Sequence, residues 1–533
     1  MRTKLIYLIA ILFSMGFFTA CESLLDDVEQ QGSTSIENFY QTDIDAEEAI
    51  AAVYLQWRSQ AYNDFFLKNT LSDDIYSGGG ARGDNSILEQ LSEYRFSTSN
   101  STMSDYFSGL YTLIYRSNLV INNFTDDTEV KRRAIAEAKV VRGWAYFNLV
   151  TLWGPVPFVT SQLTPSEYQQ PNGTLSEIWA QIETDLSEAA ASGTLPEKAS
   201  AVDKSAGGRL TKQAALSFLG KAQVFQGKYS EAATTLKLVI NSGKYALIDN
   251  YENVLRKVED FGSENIFEVN SINDGENAFN QGTAILGNMY GWRSDRLNLN
   301  GYWIGAHDLY PGGWGFANPR ENLYDAFVEM EGTDGYRLNA TMKTYQQVMA
   351  IGAPAAPVTV NTGTSLYGHE GYFNWKWRFL GSEVIPNSWG MATDNNYRMM
   401  RYAEVLLLAA EACLQSGDDD GALNYINQIR TRAQLPNLSA VTLADIKKEK
   451  RLELCLEQIR YQDLVRWGDA ANALAEQGKQ VPVFSGLKDD GTHNVSFPYT
   501  NPVYGFKAGK HELLPFPEHE MNVNDNLVQN PGW

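Results

Sequence analysis

The sequence predicts an all-α protein of tetratricopeptide-like helical hairpins with a long irregular aromatic-rich insertion, and three observations carry that prediction. Tyr402 to Leu414 has small and apolar residues on nearly every face, with Glu404 and Glu411 its charges, which is the composition of a helix packed on several sides. Gly417 and the run Asp418, Asp419, Asp420 break it, after which Ala422, Leu423, Ile426, Ile429 and Ala433 mark one face of an amphipathic helix. The same design occurs earlier. Setting Gly227 against Gly417 places Ala222 over Ala412, Ala232 over Ala422, Leu236 over Ile426 and Val239 over Ile429. Helix, short glycine turn, helix with an early alanine is a hairpin in which small residues let two backbones approach, and repetition of such hairpins builds binding scaffolds.

In chain order, helical pattern starts near Asp45 and runs through Ala49, Ala52, Val53 and Trp57. Leu71 to Asn100 reads as polar loop. Its Gly78, Gly80 and Gly83 spell the glycine spacing of a dinucleotide loop, but no apolar strand precedes them, so the stretch is read as flexible. Helices are expected over Tyr106–Phe124 and Glu129–Trp153, the second ended by Pro155 and Pro157. Thr174 with Glu177 has the form of a capping box, and Gly193 closes the helix it starts. The first hairpin follows over Thr211–Ile240. Helical periodicity is then lost until Tyr397. Within that interval Phe373, Trp375, Trp377 and Phe379 alternate with Asn374, Lys376 and Arg378, as a strand would. After the second hairpin Pro436 is a stop, and Thr442 with Asp445 caps a third helix expected to continue through Leu454, Cys455 and Ile459 toward Trp467. The resulting division is 1–20 leader, 21–40 acidic tether, 41–261 first part of the scaffold, 262–396 insertion, and 397–533 second part of the scaffold with a C-terminal segment.

Composition narrows the function. The formal charge of -21 repels nucleic acid and anionic membrane surfaces, so a nucleic-acid role is excluded. Arg2 and Lys4 precede the apolar run Leu5–Phe13, then small residues and Cys21, the layout of a secretory signal. Phe18-Thr19-Ala20-Cys21 resembles a bacterial lipobox, which makes Cys21 the candidate lipidation site. Cys413 and Cys455 fall on predicted helices; two buried thiols are the favoured account, and their spacing leaves a disulfide open.

The five histidines are scattered and form no H-E-x-x-H helix, and no G-x-S-x-G elbow or P-loop occurs. No cofactor, metal site or catalytic residue is therefore expected. Paired carboxylates for glycoside hydrolysis stay open, because their separation is a three-dimensional quantity. The aromatic residues Trp292, Tyr302, Trp303 and Trp314, interleaved with Arg293 and Asp295, suit a sugar site. A sugar ring offers a face of polarised C–H groups, which flat aromatics can stack on, and a rim of hydroxyls, which charged and amide groups can bond. Some of these tryptophans filling the core is the competing account.

Three blocks carry a family resemblance. RYAEVLLLAAEA, ALNYINQIRTRAQLP and EKRLELCLEQIRYQDLVRWG resemble the C-terminal signature of the SusD/RagB family of surface glycan-binding lipoproteins. AEAKVVRGWAYFNLVTLWGPVPFV is similar to its N-terminal helix, and HELLPFPEHEMNVNDNLVQNPGW to its closing segment. Gln458 stands where the family commonly has Gly, and Lys450 where Arg is usual. The resemblance implies a protein lipid-anchored on the outer face of the outer membrane, where Glu22, Asp26 and Asp27 resemble the family's sorting signal. It further implies an oligosaccharide or polysaccharide ligand handed to a TonB-dependent β-barrel transporter, with no bond chemistry. It adds Asp73, Asp74, Tyr76 and Arg82 from the N-terminal loops as secondary ligand-binding candidates. A peptide-binding branch of the same family is the alternative, and a glycoside hydrolase a more distant one.

Overall fold

Helical segments occupy both ends of the chain and pack on one another across the long interval between them. The computed structural model describes residues 36–271, 285–298, 308–309, 312–351, 358–378, 380–385 and 393–533. The leader with Cys21, most of the tether, Tyr302, Trp303 and Phe379 lie outside the described residues. The main helices are α1 (Asp43–Ser59), α2 (Ala61–Thr70), α3 (Ser86–Ser92), α4 (Ser101–Asn123), α5 (Glu129–Trp153), α6 (Leu175–Ala191), α7 (Lys212–Phe225), α8 (Tyr229–Asn241), α9 (Glu321–Glu331), α10 (Tyr402–Gln415), α11 (Asp419–Arg432), α12 (Leu443–Leu454) and α13 (Arg460–Arg466). Helix accounts for 49% and strand for 10% of the chain, so the helical scaffold prevails and the strands are short accessory ladders.

The two hairpins, α7–α8 and α10–α11, are the same local structure. Gly227 and Gly417 both adopt left-handed backbone, at φ 71° and 85°; a Cβ would meet open space at Gly417 and the Tyr229 ring at 3.9 Å at Gly227. In each turn the amide after the glycine reaches five residues back, Lys228 N to Gln223 O at 2.9 Å and Asp418 N to Cys413 O at 2.8 Å. That closes off carbonyls the helix end would leave unpaired. Close approach is visible at Gly220, whose added Cβ would stand 2.4 Å from Leu236. Distant in sequence, the hairpins are neighbours in space: α8 packs on α10, Lys237 pairs with Asp418 at 2.7 Å, and Lys221 with Glu404 at 2.8 Å. Cys413 and Cys455 are free, buried thiols.

The capping boxes at Thr174 and Thr442 form as the sequence predicts. The C-terminal segment closes α5: Leu514 N donates to Leu152 O at 2.8 Å, and the Asn530 amide reaches both Trp153 O and Leu514 O.

Four local expectations are corrected. The third helix does not run to Trp467; it ends at Leu454 because Leu456 and Gln458 take left-handed backbone, and the chain restarts as α13. The carbonyls freed there are taken by other parts of the chain: Lys376 Nζ donates to Glu453 O and Cys455 O, and the Trp377 indole to Leu456 O. Loop 71–100 contains α3. The interval 262–396 contains α9, whose buried residues are Leu323 and Phe327, too few to give a clear period. Finally, the strand at Phe373 stops at Asn374, where the Asn374 side chain accepts from Trp377 N and turns the chain. A three-stranded ladder of Leu366–Tyr367, Gln480–Leu487 and His493–Thr500 went unpredicted.

Candidate functional site

The N-terminal loop that carries Asp73 to Asn85 is fixed from both sides. Asp73 and Asp74 are buried and face the C-terminal helices, with Arg460 Nε 2.8 Å from Asp73 and Arg451 Nη2 2.8 Å from Asp74. Burial opposes ionisation of both. At Asp73 the Arg451 and Arg460 guanidiniums outweigh it and hold the carboxyl below the usual range, while at Asp74 burial prevails over Arg451 and raises it. Tyr76 is also buried, on a short strand (Ile75–Tyr76) paired antiparallel with Asn318–Pro319, and the Arg320 guanidinium lies 5.6 Å from its ring centroid. These three side chains join loop to scaffold.

Beyond Tyr76 the loop reaches the surface. Gly78 has no room for a Cβ, which would stand 2.2 Å from Gly315 O and 2.8 Å from Tyr367 O, so the glycine lets two other segments close on the loop. Arg82 is clamped by a bidentate pairing with Glu93 and by Tyr367 Oη at 3.0 Å. The Gly80 amide donates to Asp84 at 2.6 Å, and Asp84 in turn lies 3.3 Å from Arg293 Nη1.

The aromatic-rich segment meets the loop here, and it divides. Trp292 is buried, with its indole N–H donated to Asn374 O at 3.0 Å and its ring edge-on to Phe373; this side chain packs the core. Arg293, next along, is half-buried and pairs with Asp295 through Nε at 2.6 Å. Asp295 is exposed, and the hydrogen bonds from Arg293 keep its carboxyl below the usual range.

Trp314 is 36% exposed. Its backbone is held rigidly: Trp314 N donates to Asn288 O at 2.7 Å, Gly315 N to Gly291 O at 2.8 Å and Phe316 N to Met289 O at 2.7 Å. Gly315, at φ 70°, turns the chain immediately after the ring and brings it against Arg293, whose Cβ would be 3.5 Å from a Cβ at Gly315. The structure thus groups Trp314, Arg293, Asp295 and Arg82 around one loop and places Trp292, Asp73, Asp74 and Tyr76 beneath it. It also adds rings not singled out from sequence. Tyr367 supports Arg82, and Tyr499 from the C-terminal hairpin packs edge-to-face on Tyr367 at 5.9 Å. The signal available was the alternation Val495, Phe497, Tyr499 around Pro498.

Among the described residues no group of three or more His, Cys, Asp or Glu is placed to hold a metal ion, and no helix is long and apolar enough to cross a membrane. An exposed, backbone-pinned indole beside a charged pair can stack on a flat apolar face and bond its polar rim.

Comparison with known proteins identifies the family. Residues 263–533 match the family model described as SusD family, and residues 27–223 match one described as starch-binding associating with outer membrane. The chain is 26% identical to SusD-like protein P38 of Formosa agariphila over 87% of this chain and 91% of that one. It is 24% identical to a SusD-like protein of Bacteroides ovatus, over 96% and 95%. Among solved structures it resembles a laminarin binding SusD-like protein, with TM-score 0.77 and 29% identity over 93% of this chain and 100% of the other. It also resembles surface glycan-binding protein A from Bacteroides uniformis, with TM-score 0.71 and 25% identity over 92% and 99%. These matches indicate no enzyme family. With more than half of its length matched by the family model, the chain belongs to the SusD family.

Proposed function

We propose that this protein is a cell-surface glycan-binding lipoprotein that captures an oligosaccharide at the Trp314 loop cluster and delivers it to a TonB-dependent outer-membrane transporter. The observation that carries the reading is Trp314, whose ring is open to solvent on a segment held by three backbone hydrogen bonds, with Gly315 setting that segment against Arg293 and its partner Asp295. A tryptophan on a held backbone has few torsions left to order, so stacking on a sugar face costs it little entropy. Arg293 and Asp295 supply donors and acceptors for the hydroxyl rim. The protein holds its ligand and breaks no bond. Cys21 supplies the lipid anchor at the extracellular face of the outer membrane.

The solved relative that binds laminarin makes laminarin the first ligand to test, with starch second. Isothermal titration should give a dissociation constant on the order of micromolar to millimolar, as shallow stacking sites do. Trp314→Ala should weaken that binding about tenfold or more while the thermal midpoint stays unchanged. Binding of peptides in place of every glycan in a broad panel would transfer the site to the peptide-binding branch of the family.

A further inference from the structure

The C-terminal hairpin brings one more ring to the same surface, that of Tyr499. Tyr499 is 41% exposed on the strand His493–Thr500. The register explains its aim. Val481 pairs with Tyr499 and Val483 with Ser496, so the ladder shifts across Phe497 and Pro498, and a bulge of this kind redirects side chains. Tyr499, opposite Val481, thereby meets Tyr367, which packs with Val481 against Tyr76.

Tyr499 is also held. The Arg82 guanidinium lies 5.3 Å from its ring centroid, Tyr367 meets it edge-to-face, and Arg82 is itself fixed by Glu93. A cation on one face and a ring against it orient Tyr499 before any ligand arrives. Its position relative to Trp314 follows from Gly78, where the carbonyls of Gly315 and Tyr367 converge. The segment bearing Trp314 and the one supporting Tyr499 thus flank one loop, with Arg293 and Asp84 beside it. Pro498 has no amide hydrogen, so the edge at that point offers no donor to an added peptide strand.

We propose that Tyr499 is a second stacking surface of the glycan site, so that the site takes an oligosaccharide long enough to reach from Trp314 across the 78–85 loop to the C-terminal hairpin. This rests on the glycan reading above and adds a minimum ligand length. The test is titration of laminarihexaose and of the disaccharide of the same series into the full chain, its Tyr499→Ala and Tyr499→Phe variants, and Trp314→Ala. Thermal unfolding serves as the folding control. Tyr499→Ala should lose about tenfold in affinity for the hexasaccharide and nothing for the disaccharide, and Tyr499→Phe should stay within about twofold of the parent. Hexasaccharide binding unchanged in a folded Tyr499→Ala overturns the second surface and leaves the glycan reading standing. Equal losses in Tyr499→Ala and Tyr499→Phe would assign the effect to the hydroxyl and overturn stacking. If the parent binds no glycan of the broad panel, the glycan reading fails and the second surface fails with it.

Discussion

Arg401 and Arg293 carry the same group, and the contrast between their surroundings separates scaffold from surface. Arg401 is 1% exposed; it pairs with Glu457 through Nε and Nη2, both at 2.7 Å, and also with Glu264 and Glu453. Around it Arg432 and Arg337 share Glu453, and Lys376 joins Glu457 at 2.6 Å. Burial disfavours the charge on Arg401, yet the three carboxylates more than compensate, and its pKa lies well above the ordinary value. Arg293, on the candidate site, is 19% exposed at the side chain, and its partners Asp295 and Asp84 are 54% and 41% exposed. The buried cluster directs nearly all of its charged groups at one another. The surface pair keeps part of its hydrogen-bonding capacity in contact with water, where a ligand can take it up.

The contrast predicts a split between stability and binding. Arg401→Ala should cost about 3–5 kcal/mol of unfolding free energy in a denaturant titration, since three buried carboxylates each lose one of their cationic partners at once. Arg293→Ala should cost about 1 kcal/mol or less, because its pairs are partly hydrated, while weakening glycan binding about tenfold. Equal stability losses in the two variants would erase the distinction.

His369 tests whether the floor of the site behaves like the scaffold. It is buried, packs 4.6 Å from the Phe373 ring and accepts from Gly371 N at 2.8 Å. Burial first, and His493 second, push its pKa down to about 3 from an ordinary 6.5. The folded chain therefore binds fewer protons than the unfolded chain between those values, so stability rises with pH across that window. The contribution is complete above about pH 6.5 and is lost as pH falls toward 3. His369→Gln should flatten that part of the stability profile, read as denaturation midpoints at pH 4 and pH 7. An unchanged slope would place the acid sensitivity elsewhere.

How much of this was legible in sequence follows from where each signal lives. The hairpins were legible because Gly227 and Gly417, with Ala222, Ala412, Ala232 and Ala422, are local requirements of close helix pairing. The break after Leu454 was not, since Leu456 and Gln458 are held in left-handed backbone by what surrounds the freed carbonyls, Lys376 and Trp377, far along the chain. The same holds at the site. Composition located the aromatic segment, but Trp292 and Trp314 look alike in sequence, and only the bond from the Trp292 indole to Asn374 and the backbone pinning of Trp314 distinguish core ring from open ring. Asp73 and Asp74 likewise face Arg451 and Arg460, partners no local pattern names. Tyr499 was passed over because it belongs to a strand pairing set by Val481 and Tyr367.

The smallest expected effect concerns a feature that was legible in full. Thr442 accepts from Asp445 N at 3.2 Å and the Asp445 carboxylate accepts from Thr442 N at 2.9 Å, closing the capping box that starts α12. That helix carries Glu449 and Glu453 into the buried ionic cluster, so its first turn is exposed while its last is locked among charges. Thr442→Ala removes one of the two bonds and should cost about 1 kcal/mol in denaturant titration, with glycan affinity unchanged. Because the cap and the ionic cluster lie at opposite ends of one short helix, the double variant Thr442→Ala with Arg401→Ala distinguishes two accounts. If α12 is held chiefly by its buried charges, losing them should let the first turn fray and make the cap worth less in the Arg401→Ala background. Additive losses would show instead that the cap acts on the first turn alone.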